Sequence, residues 1–108
     1  MRTIPNSNPN VTTTITLTTP YSGACPHSGE PQQGSTISVE YTPADNLLEL
    51  HAVAEWLAPF SVGDEAMDLE TLAQRCAVAA AGAVGVPVVI IASYILRNDV
   101  RLLCRCQS

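Results

Sequence analysis

The sequence predicts an α+β domain: a four-stranded antiparallel sheet with two helices on one face, in the order strand, strand, helix, helix, strand, strand. Three observations carry this. Two runs in the first half alternate apolar and polar residues, the period of a half-buried strand. Two middle runs repeat apolar residues at three- and four-residue steps, the period of a helix with one buried face. Two further runs near the C-terminal end are β-branched or alternating, and Arg97-Asn98-Asp99 between them is a turn-forming trio.

The elements follow in order. Residues 1–9, with Pro5, Pro9, Asn6 and Asn8, are expected to be a flexible arm ahead of a single domain spanning 10–108. In residues 11–17, Val11, Thr13, Ile15 and Leu17 fall on one face and threonines on the other, which predicts the first strand. Residues 20–33 read as a loop. Ile37, Val39 and Tyr41 share a face of a second strand over 35–41. Asp45 or Asn46 can cap a helix over 47–57, with Leu50, Val53 and Leu57 on one side and Pro59 as its stop. Asp68 opens a second helix, in which Leu69, Leu72, Cys76, Ala80 and Ala83 form a stripe and Gly85 and Pro87 end it. Residues 88–96 and 100–106 are the last two strands. The apolar run 77–92 is broken by Gly82, Gly85 and Pro87, so it predicts no membrane span.

The totals bound the function. A chain of 108 residues makes one domain with a small core. It is 46% hydrophobic and only 14% charged, so some apolar surface is expected to face copies of the same chain. A sheet covered on one face also leaves two open edges, which edge-to-edge joining into a ring or barrel would remove. The formal charge is −5, lysine is absent and the five arginines form no cluster, which argues against direct gripping of nucleic-acid phosphates. MRTIPNSNPN holds no apolar leader, so a cytoplasmic location with four reduced cysteines is expected.

The chemistry-bearing residues divide by context. Cys25 stands two residues before His27 in A-C-P-H-S-G-E-P, a loop bounded by glycine and proline. A thiol is only slightly ionised at neutral pH, and a protonated His27 or backbone N–H groups of the turn would raise its thiolate fraction. The alternative is a small buried hydrophobe, although Pro26, His27, Ser28 and Gly29 are poor core neighbours. Cys25, His27 and either Cys104 or Cys106 could also hold zinc, but their spacing fits no compact zinc motif. Cys104 and Cys106 share a strand face with Val100 and Leu102, and Cys76 lies on a helical stripe; all three are expected in the core. Glu49 could be favourable near a helix N-terminus, or could accept the N–H and NH₂ edge of a guanine-like base. His51 and Glu55 read as solvated, with a place at a subunit interface as the alternative for His51. Trp56, the only tryptophan, is expected to be buried, with base stacking as the alternative.

Cys25-Pro26-His27-Ser28-Gly29-Glu30-Pro31, followed by Gly34-Ser35-Thr36-Ile37 and Tyr41, resembles the 7-cyano-7-deazaguanine (preQ0) reductase family. Further matches are Leu48-Glu49-Leu50-His51, Trp56-Leu57-Ala58-Pro59-Phe60 and Tyr94-Ile95-Leu96-Arg97-Asn98-Asp99. The resemblance covers roughly residues 21–103. It implies the tunnelling fold, shared with GTP cyclohydrolase I, in which ββααββ subunits assemble into rings, commonly pentamers or decamers. It implies that Cys25 attacks the nitrile carbon of preQ0 to form a thioimide. It places Glu49 as the anchor of the deazaguanine base, supplied across a subunit interface; Leu50 and Trp56 are further substrate-binding candidates.

The chain also departs from the family pattern. The family's aspartate acid is Gln32 here, and an amide can hold a water or the substrate but not act as an acid. The family's His-Glu pair falls near Ala66 and Met67, with Glu65 and Asp68 close by. The Ser-Lys-Ser cofactor patch is Leu50, His51 and Ala52, and the following Arg-Asn is Ser61 and Val62. The family's NADPH motif is therefore absent and the grip on its phosphates poor, so no cofactor is expected, with NADPH as the alternative. Four readings follow. The chain acts on a 7-substituted 7-deazaguanine through Cys25 without NADPH, either adding ammonia to give an amidine, as related amidinotransferases do, or transforming the 7-substituent in another way. Or it is an NADPH-dependent nitrile reductase with an unusual cofactor site. Or it binds a purine or pterin without catalysis. Or, on the weak C-x-H spacing of Cys25 and His27, it is a zinc-dependent cyclohydrolase.

Overall fold

A computed structural model describes residues 1–23, 29–62 and 68–108 of the chain. In chain order its elements are β1 (Thr3–Pro5), β2 (Ile15–Pro20), β3 (Thr36–Tyr41), β4 (Asn46–Leu48), α1 (Ala52–Leu57), a 3₁₀ turn (Ala58–Val62), α2 (Leu69–Val84), β5 (Val88–Ile95), a tight turn (Arg97–Asp99) and β6 (Arg101–Gln107). The main sheet is antiparallel, in the order β2-β3-β5-β6. With its two helices it is α+β, compatible with the expected ββααββ layout.

Alternation decides which way the sheet faces. Ile37, Val39 and Tyr41 of β3 and Val88, Ile90, Ala92 and Tyr94 of β5 are all buried on one side. Register aligns them into rows: Leu17, Val39, Ile90 and Cys106 run across four strands, as do Thr19, Ile37, Ala92 and Cys104. α2 lies on this face with Leu72, Ala73, Cys76, Ala77, Ala80 and Val84 buried. Small residues at four of those six positions let the helix axis approach the sheet closely. α1 adds Val53 and Leu57 near β2. The opposite face is not covered by either helix; Leu103 there is 69% exposed.

The second helix follows its sequence signals. Asp68 is extended and its Oδ1 accepts the Thr71 N–H at 2.7 Å, one of the orphan donors of a first turn. Thr71, through its side chain first and this backbone N–H second, holds the Asp68 carboxyl below its ordinary range. At the other end Gly85 takes φ 73° and donates to the Ala81 carbonyl, the left-handed cap that a residue without Cβ adopts cheaply.

Three expectations are corrected. The N-terminal segment is not wholly a loose arm: Thr3–Pro5 pairs antiparallel with Asn46–Leu48. That pairing takes the residues expected to open the first helix, so 46–48 are strand, and α1 begins only after His51, with no cap from Asp45 or Asn46. The first strand is displaced from 11–17 to Ile15–Pro20, and Val11 is 61% exposed. The partner sets the limit, because β3 ends at Tyr41 opposite Ile15 and residues before Ile15 have no strand to pair with. Pro20 is tolerated because β2 is an edge strand.

Among the described residues no helix is long and apolar enough to cross a membrane.

Candidate functional site

The loop that carries the C-P-x-S-G-x-P block is tied to one end of the sheet. At its base the Tyr21 N–H donates to Ser35 O at 3.0 Å, and further out the Gly23 N–H donates to Pro31 O at 2.8 Å. The returning arm is fastened to the end of β5. Gln32 N–H donates to Ile95 O, and Ile95 N–H donates to the buried Ser35 Oγ, both at 2.8 Å. Glu30 accepts the Arg97 N–H at 3.1 Å and lies 3.5 Å from the Arg97 guanidinium, which joins the loop to the β5–β6 turn. Cys25 and His27, the first two predicted catalytic residues, lie outside the described residues, as do Glu65, Ala66 and Met67. Two members of the zinc trio, Cys25 and His27, therefore lie outside them, while Cys104 and Cys106 are described. Gln32 has an exposed side chain and acts in the fold through its backbone.

Glu49 belongs to the other end of the sheet. Tyr41 ends β3, and its hydroxyl accepts the Leu48 N–H at 2.8 Å, fixing β4 at that end. The two ends of β3 are five residue steps apart, about 17 Å along a strand. One chain thus holds the anchored base of the Cys25 loop and Glu49 at opposite ends of a strand.

Glu49 is itself a junction. Its Oε2 accepts the His51 N–H at 2.9 Å, and its carbonyl accepts the Ala52 N–H at 3.0 Å, so it shapes the entry to α1. Its side chain is 24% exposed and 3.3 Å from the Arg2 guanidinium. Arg2 also binds Glu55 through Nε at 2.9 Å and through Nη2, which lowers the Glu55 carboxyl below its ordinary range. Leu50 is 70% exposed, unlike its expected place on the buried side of a helix. Trp56 is half-buried and packs on Phe60 with ring centres 5.0 Å apart and planes tilted by 52°.

No family model matches the chain, and no curated protein sequence matches it.

The remaining thiols are set by burial. Cys76 is fully buried, and burial, with Cys106 nearby, pushes its thiol up to about 12. Cys104 is also raised, by burial first and then by Glu70 and Cys106. Both, with Cys106, occupy the covered face, in agreement with their expected core role. Among the described residues no group of three histidine, cysteine, aspartate or glutamate side chains is placed to hold a metal ion. A shallow open depression at the Tyr41 end is lined by Thr14, Glu40, Tyr41, Thr42, Pro87 and Val89, and none of these is a predicted site residue.

Sequence reasoning missed Arg2, Ser35 and the Glu30–Arg97 pair. Arg2 carries no periodic signal, and its role depends on β1 pairing with a strand more than forty residues away. Ser35 and Arg97 were visible only as parts of the quoted motifs. Their bonds to the loop and to β5 are tertiary.

Proposed function

We propose that the chain is a ring-forming tunnelling-fold enzyme that acts on a 7-substituted 7-deazaguanine, with Cys25 as nucleophile and Glu49 of an adjacent copy as base anchor. The observation that supports the reading is that the described base of this loop, Tyr21, Gly23 and residues 31–35, is fastened at one end of β3, while Glu49 stands at the other. A site using both is completed by a second copy. The sheet order supplies the means. In a four-stranded antiparallel sheet the outer strands β2 and β6 run in opposite directions, so β6 of one copy can pair antiparallel with β2 of the next. Such a head-to-tail contact closes into a ring when its rotation allows.

The chemistry proposed is addition. The Cys25 thiolate attacks the nitrile carbon and the C–S bond forms. One π bond of the nitrile breaks, its electron pair goes to nitrogen, and nitrogen takes a proton to give the thioimide. Ammonia then adds to the same carbon, the C–S bond breaks, and the thiolate leaves to give an amidine and the free enzyme. Reduction would instead require two hydrides from NADPH, and a chain with no lysine and with Leu50, His51 and Ala52 at the cofactor patch offers little to hold its phosphates. Gln32 supplies no proton, so the proton reaches nitrogen from water or another group.

Mass spectrometry after incubation with preQ0 tests this directly. The expected increment is the whole mass of preQ0, since the addition expels nothing. Base binding without an adduct would identify a non-catalytic purine-binding protein, and NADPH-dependent absorbance loss would identify a reductase. Light scattering is expected to give a multimer, a pentamer or decamer by resemblance; a stable monomer at micromolar concentration would remove the shared site. Glu49→Gln should weaken base binding about ten- to a hundredfold, the worth of one charge-assisted hydrogen bond at roughly 1.5–3 kcal/mol. Unchanged affinity, measured by calorimetry, would refute the Glu49 assignment.

A further inference from the structure

We propose that Arg2 is a tethered competitor for the Glu49 carboxylate, so that the N-terminal strand occupies the base anchor until the base displaces it. The proposal rests on the reading of Glu49 as base anchor. Its own ground is the way β1 delivers one side chain. Thr3 pairs with Leu48, and the Glu49 N–H donates to Arg2 O at 3.0 Å. Backbone pairing therefore sets Arg2 directly beside Glu49. The guanidinium is 64% exposed and the Glu49 carboxylate 24% exposed, so the arginine lies on the solvent side of the pair. Glu55 holds it there from the first turn of α1, through Nε and Nη2.

The competition follows from donor geometry. A guanidinium presents N–H groups on adjacent nitrogens joined through one carbon; Arg2 gives Nε and Nη2 to Glu55 and turns Nη2 alone to Glu49 as well. The N1–H and exocyclic NH₂ of a guanine-type base form the same pattern around one carbon. Glu49 Oε2 already receives the Arg2 Nη2 and the His51 N–H, at 3.3 and 2.9 Å. A base that takes both carboxylate oxygens must displace the arginine contact, whereas the His51 N–H belongs to the helix entry and stays. The strong Arg2–Glu55 contact gives the displaced guanidinium somewhere to remain, so displacement need not unpair β1.

Calorimetric titration of the full chain with preQ0 tests the idea. Arg2→Ala is expected to bind about two- to fivefold more tightly than the parent, the scale of a solvent-exposed ion pair. Arg2→Met, which keeps the unbranched stem, should do the same. Raising ionic strength should tighten binding to the parent more than to either variant, because salt screens the exposed competitor. Equal or weaker binding by both variants, with Glu49→Gln still impaired, would overturn the proposal and leave Glu49 as the anchor. Equal binding by Glu49→Gln and the parent, or no binding by any of them, would overturn both.

Discussion

Cys25→Ala is expected to abolish the covalent adduct with preQ0 completely while leaving the far-UV circular dichroism of the chain unchanged. The effect should be total because the other three thiols are unsuited to replace it. Cys76 has no exposed surface and its thiol is raised to about 12. At neutral pH it is essentially all neutral thiol, which is a poor nucleophile. Cys104 is shifted in the same direction by burial, and Cys106 shares its half-buried face. In the native parent, iodoacetamide should therefore label Cys25 first, and preQ0 should slow that labelling. Retention of fold is expected because Cys25 is flanked by proline, histidine, serine and glycine, which build little core. First labelling at Cys104 or Cys106, or a Cys25 rate indifferent to preQ0, would show that the nucleophile is assigned wrongly.

The largest effect on stability is expected at Tyr94. It is the largest fully buried side chain among the described residues. It pairs in register with Leu102 and its hydroxyl donates to the Leu69 carbonyl at 3.0 Å, so one residue links β5, β6 and the start of α2. Burial also raises its phenol well above the ordinary value, leaving it neutral as a donor. Tyr94→Ala should cost about 3–5 kcal/mol, the usual loss for emptying a buried aromatic site. That is a large share of the roughly 5–15 kcal/mol that holds a domain together. Tyr94→Phe should cost only about 0.5–1.5 kcal/mol, because the Leu69 carbonyl keeps its place in the helical ladder. Val78→Ala is the control: Val78 is 72% exposed, and about 0.5 kcal/mol or less is expected. Urea denaturation at one fixed protein concentration measures all three, since a self-associating chain gains stability with concentration. A Tyr94→Ala midpoint within error of Val78→Ala would show that this contact does not organise the core.

What the sequence determined by itself is the set of elements whose signal is local. α2 was legible to the residue, because Asp68 and Gly85 satisfy or terminate a helix through their own backbone neighbours. β3, β5 and β6 were legible because a buried face imposes a period of two, and the Arg97–Asp99 turn because Asn98 and Asp99 take positive φ, which asparagine and aspartate tolerate better than most residues. The core role of Cys76, Cys104 and Cys106 followed from the same stripes. The tertiary structure alone decided the rest. Residues 46–48 have helical spacing but form a strand, because Thr3–Pro5 offers an antiparallel partner from over forty residues away. Ile15 rather than Val11 begins β2, because the length of β3 limits the pairing. The separation of Glu49 from the base of the loop at Tyr21 and Ser35 along β3, and the arrival of Arg2 at Glu49, depend on strand pairing and not on spacing. A periodic pattern states which face a residue presents; only the partner strand states what that face meets.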